Sequence, residues 1–132
     1  MATALLYATN NTPQDVAIGE YINFGTPVRR YGRNITMSGG NALVSGEGYY
    51  IVDASINFTG SAGTTVFQMY ENGMPISGAR VERTTGAATE YDVKIPTFAI
   101  RNKNNCIEKV LTMGVSGAAI TDAVATINIV KS

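Results

Sequence analysis

The stretch that decides the fold runs from residue 49 to residue 58 and reads Tyr-Tyr-Ile-Val-Asp-Ala-Ser-Ile-Asn-Phe. Its even-numbered residues are all apolar, whereas its odd-numbered residues include Asp53, Ser55 and Asn57. Apolar residues at every second position are typical of a β-strand that packs one face on a core. We therefore predict a strand over residues 49–58, with Tyr49 and Ile51 as apolar exceptions on its polar face.

A β-hairpin is predicted immediately downstream. Residues 65–71 are rich in β-formers and end at Asn72-Gly73, after which residues 76–83 resemble a second strand. Asn and Gly both tolerate the positive φ angles that a two-residue hairpin turn requires. Further strands are predicted over residues 90–100, 106–115 and 123–130. One or two more are expected near the N-terminus, where apolar residues recur: Leu5, Tyr7, Val16, Ile18, Tyr21 and Ile22.

Turn signals separate these segments at regular intervals, and no segment has helical periodicity with caps. Examples are Asn10-Asn11-Thr12-Pro13 and Ser38-Gly39-Gly40-Asn41. Pro96 predicts an edge strand or a bulge in its segment, because proline cannot donate to a strand ladder. An all-β sandwich or barrel is the expected architecture, with residues 1–132 forming one domain.

The final predicted strand has two partly apolar faces. One face carries four small or branched apolar residues, and the other is apolar at both ends. Such a strand is either central in a stack or covered by another subunit. The candidate subunit contacts are therefore the residues on the second face of this strand and the two apolar exceptions of the first: Tyr49, Ile51, Val124, Thr126, Asn128 and Val130.

Charge provides little reason to expect a nucleic acid or membrane partner. The chain has ten basic and ten acidic residues, so it lacks a net basic footprint. Arg29, Arg30 and Arg33 form the one basic cluster in the sequence, which we interpret as a solvated or interface-paired turn. The N-terminus has neither the basic region nor the apolar stretch of a signal peptide, so an extracellular location would require another route, such as a virion.

Catalytic chemistry is also not expected. The sequence contains no histidine, so the commonest general base and metal ligand is missing. Cys106 is the only cysteine and is interpreted as a small buried or half-buried apolar residue. The carboxylates are scattered, and Glu90 and Asp92 are the closest pair. They offer a conceivable calcium site or hydrolase pair, but a solvated strand edge is the favoured interpretation. We predict no enzyme, no cofactor and no metal.

Three segments together resemble a known superfamily. Residues 46–58 (GEGYYIVDASINF) are similar to the Gly-x-Tyr-x-Ile/Phe strand of the jelly-roll proteins that include tumour necrosis factor and complement globular heads. Residues 66–78 (VFQMYENGMPISG) resemble the hairpin of that superfamily, and residues 125–131 (ATINIVK) resemble its terminal strand. The likeness is strongest to bacterial and phage members, found on spore-surface glycoproteins and among Firmicute phage structural proteins.

This resemblance implies a two-sheet jelly roll of about ten antiparallel strands that forms a homotrimer. It implies a non-enzymatic structural protein of a phage virion, such as a capsid decoration or fibre head, with itself and other virion proteins as partners. The alternative is a receptor- or glycan-binding head on a bacterial or spore surface. The sequence departs from some members in lacking a collagen-like stalk and an acidic calcium-binding loop.

Overall fold

A computed structural model describes residues 4–104 and 107–131 of the chain. Ten β-strands are present in the described part, and their bounds are as follows: β1 (Ala4–Val16), β2 (Thr26–Tyr31), β3 (Ile35–Ser38), β4 (Asn41–Val44), β5 (Gly48–Gly60), β6 (Gly63–Glu71), β7 (Met74–Thr85), β8 (Glu90–Asn102), β9 (Lys109–Ser116) and β10 (Ile120–Lys131).

The strands form two five-stranded antiparallel sheets. Sheet I has the order β2-β1-β10-β5-β8, and sheet II has the order β3-β4-β9-β6-β7. The first and last strands are therefore neighbours at the middle of one sheet, and successive strands cross repeatedly from one sheet to the other. This is a jelly-roll sandwich, as predicted.

Strand β5 explains how the core is assembled. Burial alternates along the strand, and Tyr50, Val52 and Phe58 are completely buried. Phe58 meets Phe67 of sheet II with ring centroids 5.1 Å apart. The buried Tyr50 hydroxyl shares its single hydrogen between the carbonyl oxygens of Ser45, at 2.5 Å, and Gly46, at 2.8 Å. Burial raises the pKa of this hydroxyl above its usual value.

Two local predictions about turns and bulges are confirmed. Strands β6 and β7 are joined by Asn72 and Gly73, whose φ angles are 50° and 81°. Strand β8 is an edge strand of sheet I, and its register with β5 shifts opposite Asp53, where Pro96 and Thr97 lie. A bulge that contains proline needs no ladder hydrogen bond from that residue, which explains why proline is accommodated there.

Other predictions need correction. Asn10-Asn11-Thr12-Pro13 is not a turn, because it lies inside β1, where the register with β10 shifts between Asn10 and Gln14. Arg29 and Arg30 belong to strand β2, and only Arg33 lies in a bend. Strand β9 begins at Lys109. The predicted environment of Cys106 lies outside the described residues.

Candidate functional site

The six candidate subunit contacts all lie on the outer face of sheet I, which is the face turned away from sheet II. Strands β5 and β10 are adjacent, and Val130 lies directly opposite Ile51. Tyr49 and Ile51 are 54% and 39% exposed. The remaining four residues are half-buried: Val124, Thr126, Asn128 and Val130. The structure thus brings together residues that are far apart in the sequence.

An apolar row crosses the whole outer face, perpendicular to the strands. Directly opposed residues on successive strands form it in the order Ala99, Ile51, Val130, Leu5 and Tyr31. Directly opposed side chains in antiparallel strands lie within contact distance on the same face. Four spacings between strands make the row about 19 Å long. Its members are exposed or half-buried, with Tyr31 49% exposed.

A polar row lies two residues further along the strands. Asp53, Asn128, Tyr7 and Arg29 are opposed in turn on β5, β10, β1 and β2. The Asp53 carboxylate accepts a hydrogen bond from the Thr97 hydroxyl, and Lys94 Nζ lies 3.6 Å from Asp53 Oδ1. These contacts fix the position of the Asp53 carboxylate, and they do not involve Arg29 at the other side of the row.

The half of the outer face nearer the start of β10 is lined by hydroxyl and amide groups. Thr9 and Thr126 share a hydrogen bond of 3.1 Å between their Oγ1 atoms. A groove of about 420 Å³ adjoins Thr126 and Val124 and extends to Asn57 and Asp92. Asn57 Nδ2 donates to Asp92 Oδ1 at 2.6 Å. Asp92 therefore has a partner within the sheet, and its strand neighbour Glu90 is exposed.

Charge is strongly polarised along the strands although the formal net charge is zero. The end where β1 begins and β10 finishes has three carboxylates (Glu47, Glu71 and Glu108) and six basic residues: Arg30, Arg33, Arg101, Lys103, Lys109 and Lys131. The opposite end has one basic residue, Arg83, and five carboxylates: Asp15, Glu20, Glu90, Asp92 and Asp122. Strands of 13 residues separate these ends by about 40 Å.

Several basic side chains at the basic end, where β10 finishes, are held in place. Lys131 Nζ donates to Asn34 Oδ1 at 3.2 Å and lies 5.8 Å from the Tyr50 ring centroid. Arg101 packs over the Tyr49 ring at 5.4 Å. Arg29 and Arg30 belong to an edge strand whose residues are all exposed. Two members of the basic cluster seen in the sequence, Arg30 and Arg33, therefore belong to a larger basic end.

Residues 4–104 and 107–131 contain no group of three or more His, Cys, Asp or Glu side chains that could hold a metal ion. No helix within these residues is long and apolar enough to cross a bilayer. The chemistry available on the outer face is that of contact: apolar surface, hydroxyls, amides and a few paired charges.

Sequence reasoning misses three of the five residues of the apolar row. Leu5 is recognised only as part of an N-terminal strand, and Tyr31 and Ala99 are not singled out. The run Leu5-Leu6-Tyr7 places large apolar side chains on both faces of β1. It could have suggested a second strand with two apolar faces beside β10. Only the pairing of β1 with β10 and β2 shows that Leu5 and Tyr31 continue the row.

Neither the scan against protein-family models nor the search of curated proteins finds a match. Several solved structures are similar over nearly the whole chain. Murine APRIL at pH 5.0 has a TM-score of 0.74 at 14% identity, with 98% of each chain covered. The globular domain of zebrafish complement 1qA has a TM-score of 0.69 at 11% identity, with 95% of this chain and 94% of that chain covered.

PRD1 vertex protein P5 has a TM-score of 0.68 at 13% identity, with 99% of this chain and 98% of that chain covered. At such low identities the likeness establishes the fold. The chain has the jelly-roll fold of the tumour necrosis factor and C1q-like proteins.

Proposed function

We propose that this chain is a single-domain, non-enzymatic structural protein of a virion surface that acts as a homotrimer. The subunits would associate through the outer face of sheet I, around Tyr49, Ile51, Val124, Thr126, Asn128 and Val130. A capsid decoration, vertex or fibre-head role would follow, with other virion proteins as partners and with no cofactor.

The apolar row is the observation that carries the self-association. An isolated sandwich would leave Tyr31, Ile51 and Tyr49 in contact with water on one continuous face. Contiguous exposed apolar surface with polar surroundings is typical of protein interfaces. The outer face is about 19 Å wide across the strands and about 26 Å long along β5, from Tyr49 to Asn57. Its area of about 500 Å² is most of the roughly 800 Å² that one partner contributes to a standard interface.

A copy of the same chain is the favoured occupant because the two sides of the face differ and can meet each other on neighbouring subunits. Rotational symmetry places equivalent patches at every contact and closes the assembly, so a three-fold arrangement leaves no open contact. Arg29 at one edge and Asp53 near the other give the polar row opposite charges at its two sides. A neighbouring subunit could therefore pair them across the interface.

Fold similarity supports the virion location. One structural neighbour over the full chain is a phage vertex protein. APRIL and complement 1qA share the fold as well, so a receptor- or glycan-binding head on a bacterial or spore surface is the second candidate. A cleft lined by amide and hydroxyl side chains beside β2 and β3 is the observation that favours this second candidate.

Two measurements test this proposal. Light scattering coupled to size exclusion, at 5–100 µM protein, is expected to give three times the subunit mass of 14.0 kDa. A mass of one subunit throughout that range would contradict the trimer. Mass spectrometry of density-purified particles from the source culture is expected to detect the chain in stoichiometric amounts. Its absence from intact particles would contradict the virion location.

A further inference from the structure

A cleft of about 730 Å³ lies beside the edge strands β2 and β3, and residues of β1 and of the loop before β2 complete its lining. Its polar lining comes from amide and hydroxyl side chains, principally Asn10, Thr12, Gln14, Asn23, Thr26 and Ser38. None of the twelve described residues that line it is ionisable. The volume falls within the usual range of ligand sites, although the chain has twenty charged residues elsewhere.

Hydrogen bonds hold the amide side chains of the cleft in defined positions. Gln14 Oε1 accepts from the Asn23 backbone N–H at 2.9 Å, and Gln14 Nε2 donates to the Asn23 carbonyl at 2.8 Å. Asn10 Nδ2 donates to the same carbonyl at 3.1 Å. Asn23 Oδ1 accepts from the Gly25 N–H at 2.7 Å. The polar groups are thus arranged before any ligand arrives, which lowers the entropic cost of binding.

These amides retain unused hydrogen-bonding capacity. Each side-chain NH₂ group has two hydrogens, and Asn10 and Gln14 each use one of the two in the bonds above. Asn23 Nδ2 has no hydrogen-bond partner among the described residues. The exposed hydroxyls of Thr12, Thr26 and Ser38 can both donate and accept.

Gly40 leaves room for the Asn23 side chain in the wall of the cleft. A Cβ atom there would lie 2.2 Å from Asn23 Oδ1, so any larger residue would push the Asn23 amide out of position. The φ angle of Gly40 is +82°, which also favours glycine. The local sequence is therefore matched to the amide arrangement and not only to the hairpin turn.

We propose that this cleft binds an uncharged oligosaccharide. Sugar hydroxyls both donate and accept, as do the amides and hydroxyls that line the cleft, and a neutral ligand leaves no charge unpaired there. A charged ligand would lose hydration without finding an opposite charge. The apolar surfaces of Pro13, Pro27 and Met37 offer contact for the C–H faces of the sugar rings. An extended peptide on the free edge of β3 is the competing occupant.

Nuclear magnetic resonance titration of the full chain tests the assignment. The probes are maltotriose, triacetylchitotriose and lactose as neutral sugars, 3′-sialyllactose as the acidic counterpart of lactose, and a Ser-Gly-Thr-Val-Thr peptide. At least one neutral sugar is expected to produce saturable shifts of the side-chain amide signals of Asn10, Gln14 and Asn23. Sialyllactose should bind no better than lactose.

Three variants make the test specific. Ser38→Trp, on the edge strand β3, is expected to abolish the shifts by filling the cleft. Thr84→Trp is the matched control because it places the same side chain at an exposed position on β7, the other edge strand of sheet II. Asn23→Asp keeps the acceptor for Gly25 but loses the NH₂ group, so affinity should fall about tenfold.

Four outcomes would overturn the proposal: no shifts with any neutral sugar, shifts that persist in Ser38→Trp, tighter binding of sialyllactose than lactose, or cleft shifts produced by the peptide alone. The circular dichroism spectrum of each variant checks that it is folded. The oligomeric state does not enter these measurements, so the result is independent of the trimer proposal.

Discussion

Replacing Ile51 tests the self-association face most directly, because Ile51 is an exposed aliphatic member of the apolar row. Complete burial of an isoleucine side chain contributes about 1.5–3 kcal/mol. Ile51 is 39% exposed in the single chain, so covering the remainder would contribute about 0.6–1.2 kcal/mol per subunit. Three subunits give about 2–3.5 kcal/mol, or about 30- to 300-fold in the assembly constant.

Ile51→Ala should therefore weaken trimer formation by about that factor. Ile51→Asp should abolish it at micromolar concentration, because each interface would then bury an unpaired carboxylate at a cost of several kcal/mol. Sedimentation velocity over 1–100 µM protein measures both effects. The fold should survive, because residue 51 faces away from the core, and thermal unfolding followed by circular dichroism checks this.

Ile18→Asp is the matched control. Ile18 is 59% exposed and lies in the turn after β1, away from the outer face of sheet I. The control should assemble like the unaltered chain. If Ile51→Asp assembles as well as Ile18→Asp, the outer face is not the contact surface and the reasoning from the apolar row is wrong.

Three further predictions concern stability and ionic strength. Gly117→Ala should cost at least about 2 kcal/mol in urea unfolding, because its Cβ would lie 2.0 Å from the Thr64 carbonyl oxygen at a φ of +82°. Gly73→Ala, at a similar φ but in open space, should cost about 1 kcal/mol, and equal losses would contradict this account. Tyr50→Phe should cost about 1–2 kcal/mol at pH 7, because the hydrogen bond that its hydroxyl shares between two carbonyl oxygens is lost. Burial raises the pKa of the folded Tyr50 hydroxyl above the ordinary 10.0, so its contribution is complete below pH 10 and is lost as the pH rises further. The phenylalanine variant should lose less stability between pH 10 and 11, and parallel pH profiles would contradict that expectation. A trimer with parallel strands brings like-charged ends together, so sodium chloride from 10 to 300 mM should strengthen association in sedimentation equilibrium. Weakening would contradict this expectation and would indicate that attraction between opposite charges, such as Arg29 and Asp53, outweighs repulsion between the like-charged ends.

Local sequence patterns were sufficient to predict the central strands. The alternation along residues 49–58 and the Asn72-Gly73 turn report on the backbone within a few residues of themselves. Pro96 likewise predicted its own edge or bulge position. These features need no knowledge of distant partners, because side-chain alternation and turn φ angles are properties of adjacent residues.

The short strands β2 to β4 could not be predicted in the same way. All six residues of β2 are exposed, so the strand has no alternation and depends on its pairing with β1. The turn residues Asn10 to Pro13 lie within β1 instead of forming a turn, because the pairing with β10 accommodates a register shift there.

The candidate sites were harder still. Leu5 joins Val130 in the apolar row although 125 positions separate them in the sequence. The lining of the polar cleft comes from β1, β2, β3 and the loops beside them, so it forms only when the two sheets pack together. Residue types on β5 and β10 predicted the centre of the outer face, but its width required the register of five strands.

The separation of charge along the strands has a practical consequence for handling the protein. A chain with zero formal charge would be expected to pass through any ion-exchange column, yet this one presents a basic end to a cation exchanger and an acidic end to an anion exchanger. Either resin would hold the molecule upright with the opposite end outward. In an assembly with parallel subunits, the charges of the basic ends add together and so do those of the acidic ends. Retention on either column would therefore increase with oligomeric state. A charged support would also display the molecules in one known orientation.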